Sequence, residues 1–274
     1  MLNLSTTVEL SNGTHIPLLG LGVYKVDSGE EVYQTVQSAL KLGYRHIDTA
    51  SFYGNETGVG QAVKDSRIPR EELFITTKVW NDEQGYEETL QAFERSLACL
   101  QMDYVDLYLI HWPVPGKFID TWRALETLYQ NGRVRAIGVS NFLEYHLDDL
   151  LLHAEITPMV NQVEFHPQLY LEDLLDYCKK NNIQLEAWSP LARAQYLHHP
   201  LLHELGEKYG KSAAQIILRW DVQHGVVTIP KSTKPPRQKE NAEIFDFELS
   251  REEMEAINAL HCNGRVGSDP AQLK

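Results

Sequence analysis

Along this chain, apolar runs of four to seven residues alternate with longer stretches whose apolar positions return every three or four residues. The short runs read as strands and the longer stretches as amphipathic helices. The strand candidates are LLGLGV (18–23), YRHID (44–48), LFITTK (73–78), VDLYLIH (105–111), VRAIGVS (134–140), MVNQ (159–162), IQLEAWS (183–189) and VVTIP (226–230). Strands apolar almost throughout belong to a parallel sheet covered on both faces, and the strand–helix order demands right-handed crossovers between parallel neighbours. Eight such units predict an α/β fold, a closed (β/α)8 TIM barrel with auxiliary helices. Ahead of them, Asn12-Gly13 suits the tight turn of an N-terminal β-hairpin. The competing doubly wound fold needs a third small residue after Gly20-Leu21-Gly22, and Lys25 stands there instead. With no linker-like tract and no repeat at solenoid spacing, residues 1–274 are expected to form a single barrel domain.

The strands end on chemistry. Asp48, Lys78, His111, Ser140-Asn141, Asn161-Gln162, Trp188-Ser189 and Lys231-Ser232 close seven successive runs. A barrel of this kind opens all its strand C-termini onto one rim, where its active sites are built. One polar strand end is ordinarily a group meeting solvent; seven in order point to convergence. A phenol five residues beyond Asp48, Tyr53, joins them. An ammonium beside a phenol favours the phenolate, so Lys78 is expected to lower the Tyr53 pKa, with Asp48 anchoring the lysine. A neutral His111 would donate a hydrogen bond to a substrate oxygen. Metal hydrolysis lacks HxH, HExxH or a carboxylate–histidine cluster, so no metal is expected. A serine nucleophile elbow fails because GVSNF carries Phe142 where glycine is required.

A net charge of −13 excludes a nucleic-acid-binding surface, which needs a concentrated excess of Lys and Arg. Cys99, Cys178 and Cys262 are far apart and form neither a zinc pattern nor a disulfide framework, which fits a reducing cytoplasm. No stretch approaches the ~18 apolar residues of a membrane helix, and the N-terminus lacks an export signal. A monomer without membrane or nucleic-acid partners is expected. Against the acidic background, KSTKPPRQKE (231–240) holds four cations and one acid. Pro235 and Pro236 suit a first helical turn, so Lys231, Arg237 and helix amides would meet one phosphate, such as the 2′-phosphate of NADP.

The segments GYRHIDTASFYGNE, LFITTKVW, YVDLYLIHWP, RAIGVSNF, NQVEFHP, WSPL and VVTIPKS together resemble the aldo-keto reductases over residues 5 to about 270. The resemblance implies a barrel enzyme reducing carbonyl compounds with NADPH, in which Asp48, Tyr53, Lys78 and His111 match the catalytic tetrad, with Tyr53 the general acid. It further implies that Ser140, Asn141 and Gln162 hold the nicotinamide carboxamide, that Trp188 stacks on its ring, and that Ser189 and Leu191 follow the pyrophosphate. Lys231, Ser232, Arg237 and Asn241 match adenosine-phosphate contacts, and Tyr24, Trp80 and Trp112 match the aromatic walls of the substrate pocket. Val23 replaces a threonine common in the family, which removes a hydroxyl near the cofactor.

The tail after LHCNGRVGSDP is short, which implies an open, permissive site for small carbonyl substrates. Short members with this layout include glyoxal, methylglyoxal and diketogluconate reductases and prostaglandin F synthases. An alternative on the same barrel is a cofactor-binding regulatory or structural protein; the intact tetrad favours the enzyme.

Overall fold

The strand candidates emerge as one parallel sheet in the computed structural model, which describes residues 2–273. They are β3 (Leu21–Gly22), β4 (His46–Asp48), β5 (Phe74–Val79), β6 (Val105–Ile110), β7 (Val134–Ser140), β8 (Val160–Glu164), β9 (Gln184–Trp188) and β10 (Val227–Thr228), each paired with the next in chain order. Leu19 bridges Thr228 in parallel, with Thr228 N–H donating to Leu18 O and Gly20 N–H to Thr228 O, both at 2.9 Å. That seam joins the first strand to the last and closes the barrel.

β3 and β10 are each two residues long, shorter than their apolar runs. Leu18, Leu19, Leu21 and Val23 are all buried, so the run is apolar because it is covered, and only part of it is laddered. Conversely, β8 runs two residues past Gln162, and His111 lies just beyond the end of β6.

The hairpin pairs β1 (Thr7–Glu9) with β2 (His15–Pro17). Its turn has three residues rather than the tightest two: Gly13 N–H donates to Leu10 O at 2.9 Å, and Gly13 takes φ 85°, which glycine adopts without a Cβ penalty. Asn12 Nδ2 donates to Arg135 O at 2.8 Å. Arg135 lies at the start of β7, so the hairpin sits at the barrel end opposite the strand C-termini.

Single helices follow most strands: α1 (Glu30–Leu42), α2 (Glu56–Ser66), α3 (Tyr86–Leu100), α4 (Phe118–Gln130), α5 (Glu144–Leu151) and α6 (Glu172–Lys180). Two helices, α7 (Pro200–Tyr209) and α8 (Ala213–Gln223), separate β9 from β10, and α9 (Pro235–Ala242) and α10 (Arg251–Asn258) complete the chain. Their apolar stripes face the barrel; in α3 these are Ala92, Phe93, Leu97 and Leu100. The largest buried side chains, Trp122 and Trp220, lie on α4 and α8, where truncation to alanine costs ~3–5 kcal/mol. Among the described residues no helix is long and apolar enough to cross a membrane.

Strand alternation makes the barrel axis polar. His46 and Asp48, Thr76 and Lys78, Gln162, and Glu186 are buried and connected through hydrogen bonds or close approaches. Their neighbours Ile47, Ile75, Leu185 and Ala187 belong to the apolar core. Thr77 instead donates to Glu56 of α2 at 2.6 Å.

Candidate active site

Lys78 is fully buried, and its three ammonium donors all find acceptors: Asp48 Oδ1 at 2.7 Å, the Thr49 carbonyl at 2.9 Å and the Tyr53 hydroxyl at 3.4 Å. β4 delivers Asp48 and β5 delivers Lys78. Tyr53 comes from a 3-10 turn, Ser51–Tyr53, that follows β4 and ends on Gly54 in the left-handed region. Asn55 pins this loop, accepting from Thr49 Oγ1 at 2.8 Å and donating to Val23 O and Val26 O. The Val23 carbonyl thus ties the first strand's loop to the tyrosine loop. His111 packs edge-on against Tyr53, with ring centroids 5.7 Å apart.

Burial decides the titration of this group. Tyr53 is pushed up to about 12, not lowered: desolvation of the phenolate outweighs the pull of Lys78, and Asp48 adds an opposing charge. The expected lowering fails because burial outweighs it: Lys78 still pulls the phenol down, but less than desolvation pushes it up. His111 lies well below the usual histidine range through burial and Lys78, so it is neutral at pH 7. Its Nδ1 is sealed without a hydrogen-bond partner among the described residues. An unpaired acceptor costs less than an unpaired donor, which favours the tautomer carrying its proton on Nε2.

Two of the three aromatic residues expected at the pocket lie close to the Tyr53–His111 pair. Tyr24, 43% exposed, lies 4.9 Å from the Tyr53 ring, and Trp80 lies 5.0 Å from His111. Phe52, absent from the expected pocket residues, stacks on Trp80 at 3.7 Å and is 50% exposed. Its only signal was an aromatic beside Tyr53 in a strand-to-helix loop. Trp112 joins none of these rings among the described residues; its carbonyl accepts from Gln84 Nε2 at 2.7 Å.

Across the rim, Ser140 Oγ donates to Gln162 O at 2.7 Å, and Asn141, at φ 65°, donates from Nδ2 to His111 O at 2.9 Å. Trp188 Nε1 donates to Asn141 Oδ1 at 2.9 Å. Gln162 Nε2 donates to two carboxylates, Asp48 Oδ2 at 2.7 Å and Glu186 Oε2 at 2.9 Å. Glu186 was not singled out from the sequence, although a carboxylate inside the apolar run LEAW was a visible anomaly. Burial and Asp48 push it up to about 8.

After β9, Ser189 takes φ 49° and Leu191 is half-buried. Past β10, Lys231 and Arg237 are exposed and make no ion pair among the described residues, while Ser232 and Asn241 are buried; α9 begins at Pro235-Pro236.

The short tail does not leave the whole rim open. Glu164 accepts from Val266 N–H at 2.6 Å, Gly267 N–H at 3.0 Å and His166 Nε2 at 3.0 Å. Gly267 lies against Trp188 so closely that a Cβ there would stand 2.3 Å from its Cη2. The tail therefore covers the rim at β8 and β9, and exposed Tyr24 and Phe52 mark the open side.

The closed barrel agrees with the comparisons to known proteins. Residues 18–261 match the model of the Aldo/keto reductase family. The chain is 60% identical to glyoxal reductase of Bacillus subtilis, covering 99% of this chain and 98% of that protein. It is 45% identical to methylglyoxal reductase DkgA of Salmonella typhimurium, covering 98% of both. A variant of Gox0644 solved in complex with NADPH superposes with a TM-score of 0.94 at 41% identity, over 98% of each chain. The chain belongs to the aldo/keto reductase family and is an oxidoreductase acting on carbonyl compounds.

Proposed function

We propose that residues 1–274 act as a single barrel unit that reduces aldehydes and ketones to alcohols with NADPH, Tyr53 supplying the proton. The observation that carries this reading is the Lys78 ammonium. Its third donor engages the Tyr53 oxygen, so the phenol's own proton is directed elsewhere, towards the space flanked by Tyr24 and His111. A phenol held at about 12 is fully protonated at neutral pH, a loaded acid whose conjugate base the neighbouring ammonium stabilises. His111 Nε2–H orients the same carbonyl oxygen, and Asp48 keeps Lys78 in place.

The residues present fit NADPH. Lys231 and Arg237 are cations without carboxylate partners among the described residues, and with the Ser232 hydroxyl next in the chain to Lys231 they would offer a donor set suited to a phosphate. Ser140, Asn141 and Gln162 would hold the carboxamide, Trp188 would flank the ring, and Ser189, Leu191 and Asn241 would line the rest. When bound, NADPH supplies the hydride. Relatives named as glyoxal and methylglyoxal reductases, and the NADPH complex of a structural neighbour, support this assignment.

Tyr24, Trp80 and Phe52 offer aromatic surface, Trp112 follows His111 in the chain, and the cation nearest Tyr53 is the buried Lys78. Small 2-oxoaldehydes such as methylglyoxal, and activated aryl aldehydes, are the favoured substrates, because an electron-poor carbonyl needs only the oxygen-binding pair. The test is Tyr53→Phe in single-turnover hydride transfer, expected to fall ~10²–10⁴-fold with NADPH binding retained. A variant keeping a sizeable share of the wild-type rate removes Tyr53 as the acid. Preference for one bulky ketone over every small aldehyde, by about tenfold or more, removes the substrate assignment.

A further inference from the structure

Glu186 has no role in the reaction as described above, yet it is fully buried on the barrel axis, two residues before Trp188 on β9. It shares one donor with Asp48: the two hydrogens of Gln162 Nε2 go to Asp48 Oδ2 and Glu186 Oε2, at 2.7 and 2.9 Å. An amide flanked in this way has its orientation decided. Turning it over would point Gln162 Oε1 at two carboxyl groups, an arrangement that needs a proton on each. With Nε2 committed, Oε1 is the free end; it accepts no hydrogen bond among the described residues, and it is not among the sealed, unpartnered polar atoms.

We propose that Glu186 is a positioning residue: by holding one hydrogen of Gln162 Nε2 it presents Gln162 Oε1 as an acceptor for the amide of the nicotinamide, and it steadies Asp48 in its bond to Lys78. The inference rests on the cofactor reading above and assigns its polarity, since the oxygen of Gln162, not the nitrogen, faces the ligand. Lys78 from β5, with Asp48 and His46 from β4, are the ionisable groups around Glu186. His46 Nε2 stands 3.6 Å from Glu186 Oε1 and its ring is held neutral by burial, with a pKa lowered to about 3. No cation therefore pairs with Glu186 directly, and Gln162 is its one hydrogen-bond donor among the described residues.

The experiment compares wild type, Glu186→Gln, Glu186→Met and Glu186→Ala in fluorescence titrations with NADPH and with 2′,5′-ADP, which carries the adenosine phosphates and no nicotinamide, alongside thermal melts. Methionine fills the same space without an acceptor. It is expected to weaken NADPH about fivefold or more, the scale of one hydrogen bond, and to leave 2′,5′-ADP within about twofold. Its melting temperature should hold or rise, because an apolar side chain replaces a buried carboxyl group. Glutamine restores an acceptor and should rescue NADPH affinity. Alanine repeats the NADPH-selective loss if the methionine protein does not fold. Equal weakening of both ligands, or NADPH affinity unchanged in Glu186→Met, overturns the inference. Wild-type protein that binds neither ligand overturns the cofactor reading itself, a separate result.

Discussion

Glu164 and Glu186 are the same residue type, both essentially without solvent exposure, on neighbouring strands whose register sets Gln162 beside Glu186 and Glu164 beside Trp188. Their carboxyl groups are nonetheless driven in opposite directions. Glu164 receives two backbone N–H donors and a histidine, and its pKa falls below the usual range. Glu186 receives one amide hydrogen and faces Asp48, and its pKa rises. Burial raises both; three donors reverse it at Glu164, while at Glu186 the neighbouring Asp48 adds to it and a single donor does not offset it. The two sites consequently differ in use. Glu164 is a charged clamp on the tail, and Glu186 is a largely neutral member of a shared polar axis.

The largest break between the two regions should come from chemistry. Lys78→Met removes the ammonium that polarises Tyr53, and single-turnover hydride transfer is expected to fall by ~10²-fold or more. Glu164→Leu, which touches no tetrad member, should cost under about tenfold in the same assay. Comparable losses would mean that the clamp and the tetrad act as one unit.

Stability should show the reverse order. Glu164→Leu strands two backbone donors and a histidine in the interior, a loss of ~3–5 kcal/mol on the scale of a broken buried charged network. In a chain of this size each kcal/mol is worth roughly 2–4 °C of melting temperature. Glu186→Met is expected to melt at or above wild type. Melts in which Glu186→Met loses more than Glu164→Leu would invert the comparison.

Next comes pH, where the two sites have opposite signs. Glu186 keeps its proton in the folded state from about 4.3, the unfolded value, up to about 8. Over that window wild-type stability declines as pH rises, and it levels off above. The advantage of Glu186→Gln in melting temperature should therefore grow from pH 5 to pH 8. Glu164, with a depressed folded pKa, contributes stability above the unfolded value and loses it as pH falls through the folded one. The deficit of Glu164→Gln should shrink towards acid. Thermal melts across pH 4–9 check both, and slopes of the same sign would refute the contrast.

The smallest effect is expected at the contact between the tail and Trp188, the residue proposed to flank the cofactor ring. Gly267→Ala puts a Cβ into the Trp188 ring, which must move. NADPH should bind a few-fold more weakly with a changed tryptophan emission, while 2′,5′-ADP binds as before. Unchanged emission would show that the tail yields instead of the indole.

Eight parallel strands, their order and the polar rim were legible in the sequence because period and strand-end chemistry are local properties. The same locality placed Asp48, Lys78 and His111 at neighbouring strand ends, Tyr53 in the loop after the first of them, and Pro235-Pro236 at the start of α9. Lengths were less legible: the apolar runs around β3 and β10 are covered on all sides, so hydrophobicity marks burial there rather than pairing. Phe52 and the tail escaped because their partners, Trp80 and the Glu164–Trp188 pair, are distant in sequence, and no spacing rule links them.

By itself, then, the sequence determined the alternation of strand and helix, the family and which side chains are candidates for the chemistry, since each is written in residues close together along the chain. Tertiary structure alone decided the electrostatics. Whether Tyr53 is lowered or raised, whether a buried glutamate is charged or neutral, and which end of Gln162 faces outwards all depend on how many donors and charges converge from β4, β5, β8 and β9. That convergence is set by barrel closure and register, where a few ångströms of distance and the exclusion of water outweigh the intrinsic character of any one residue.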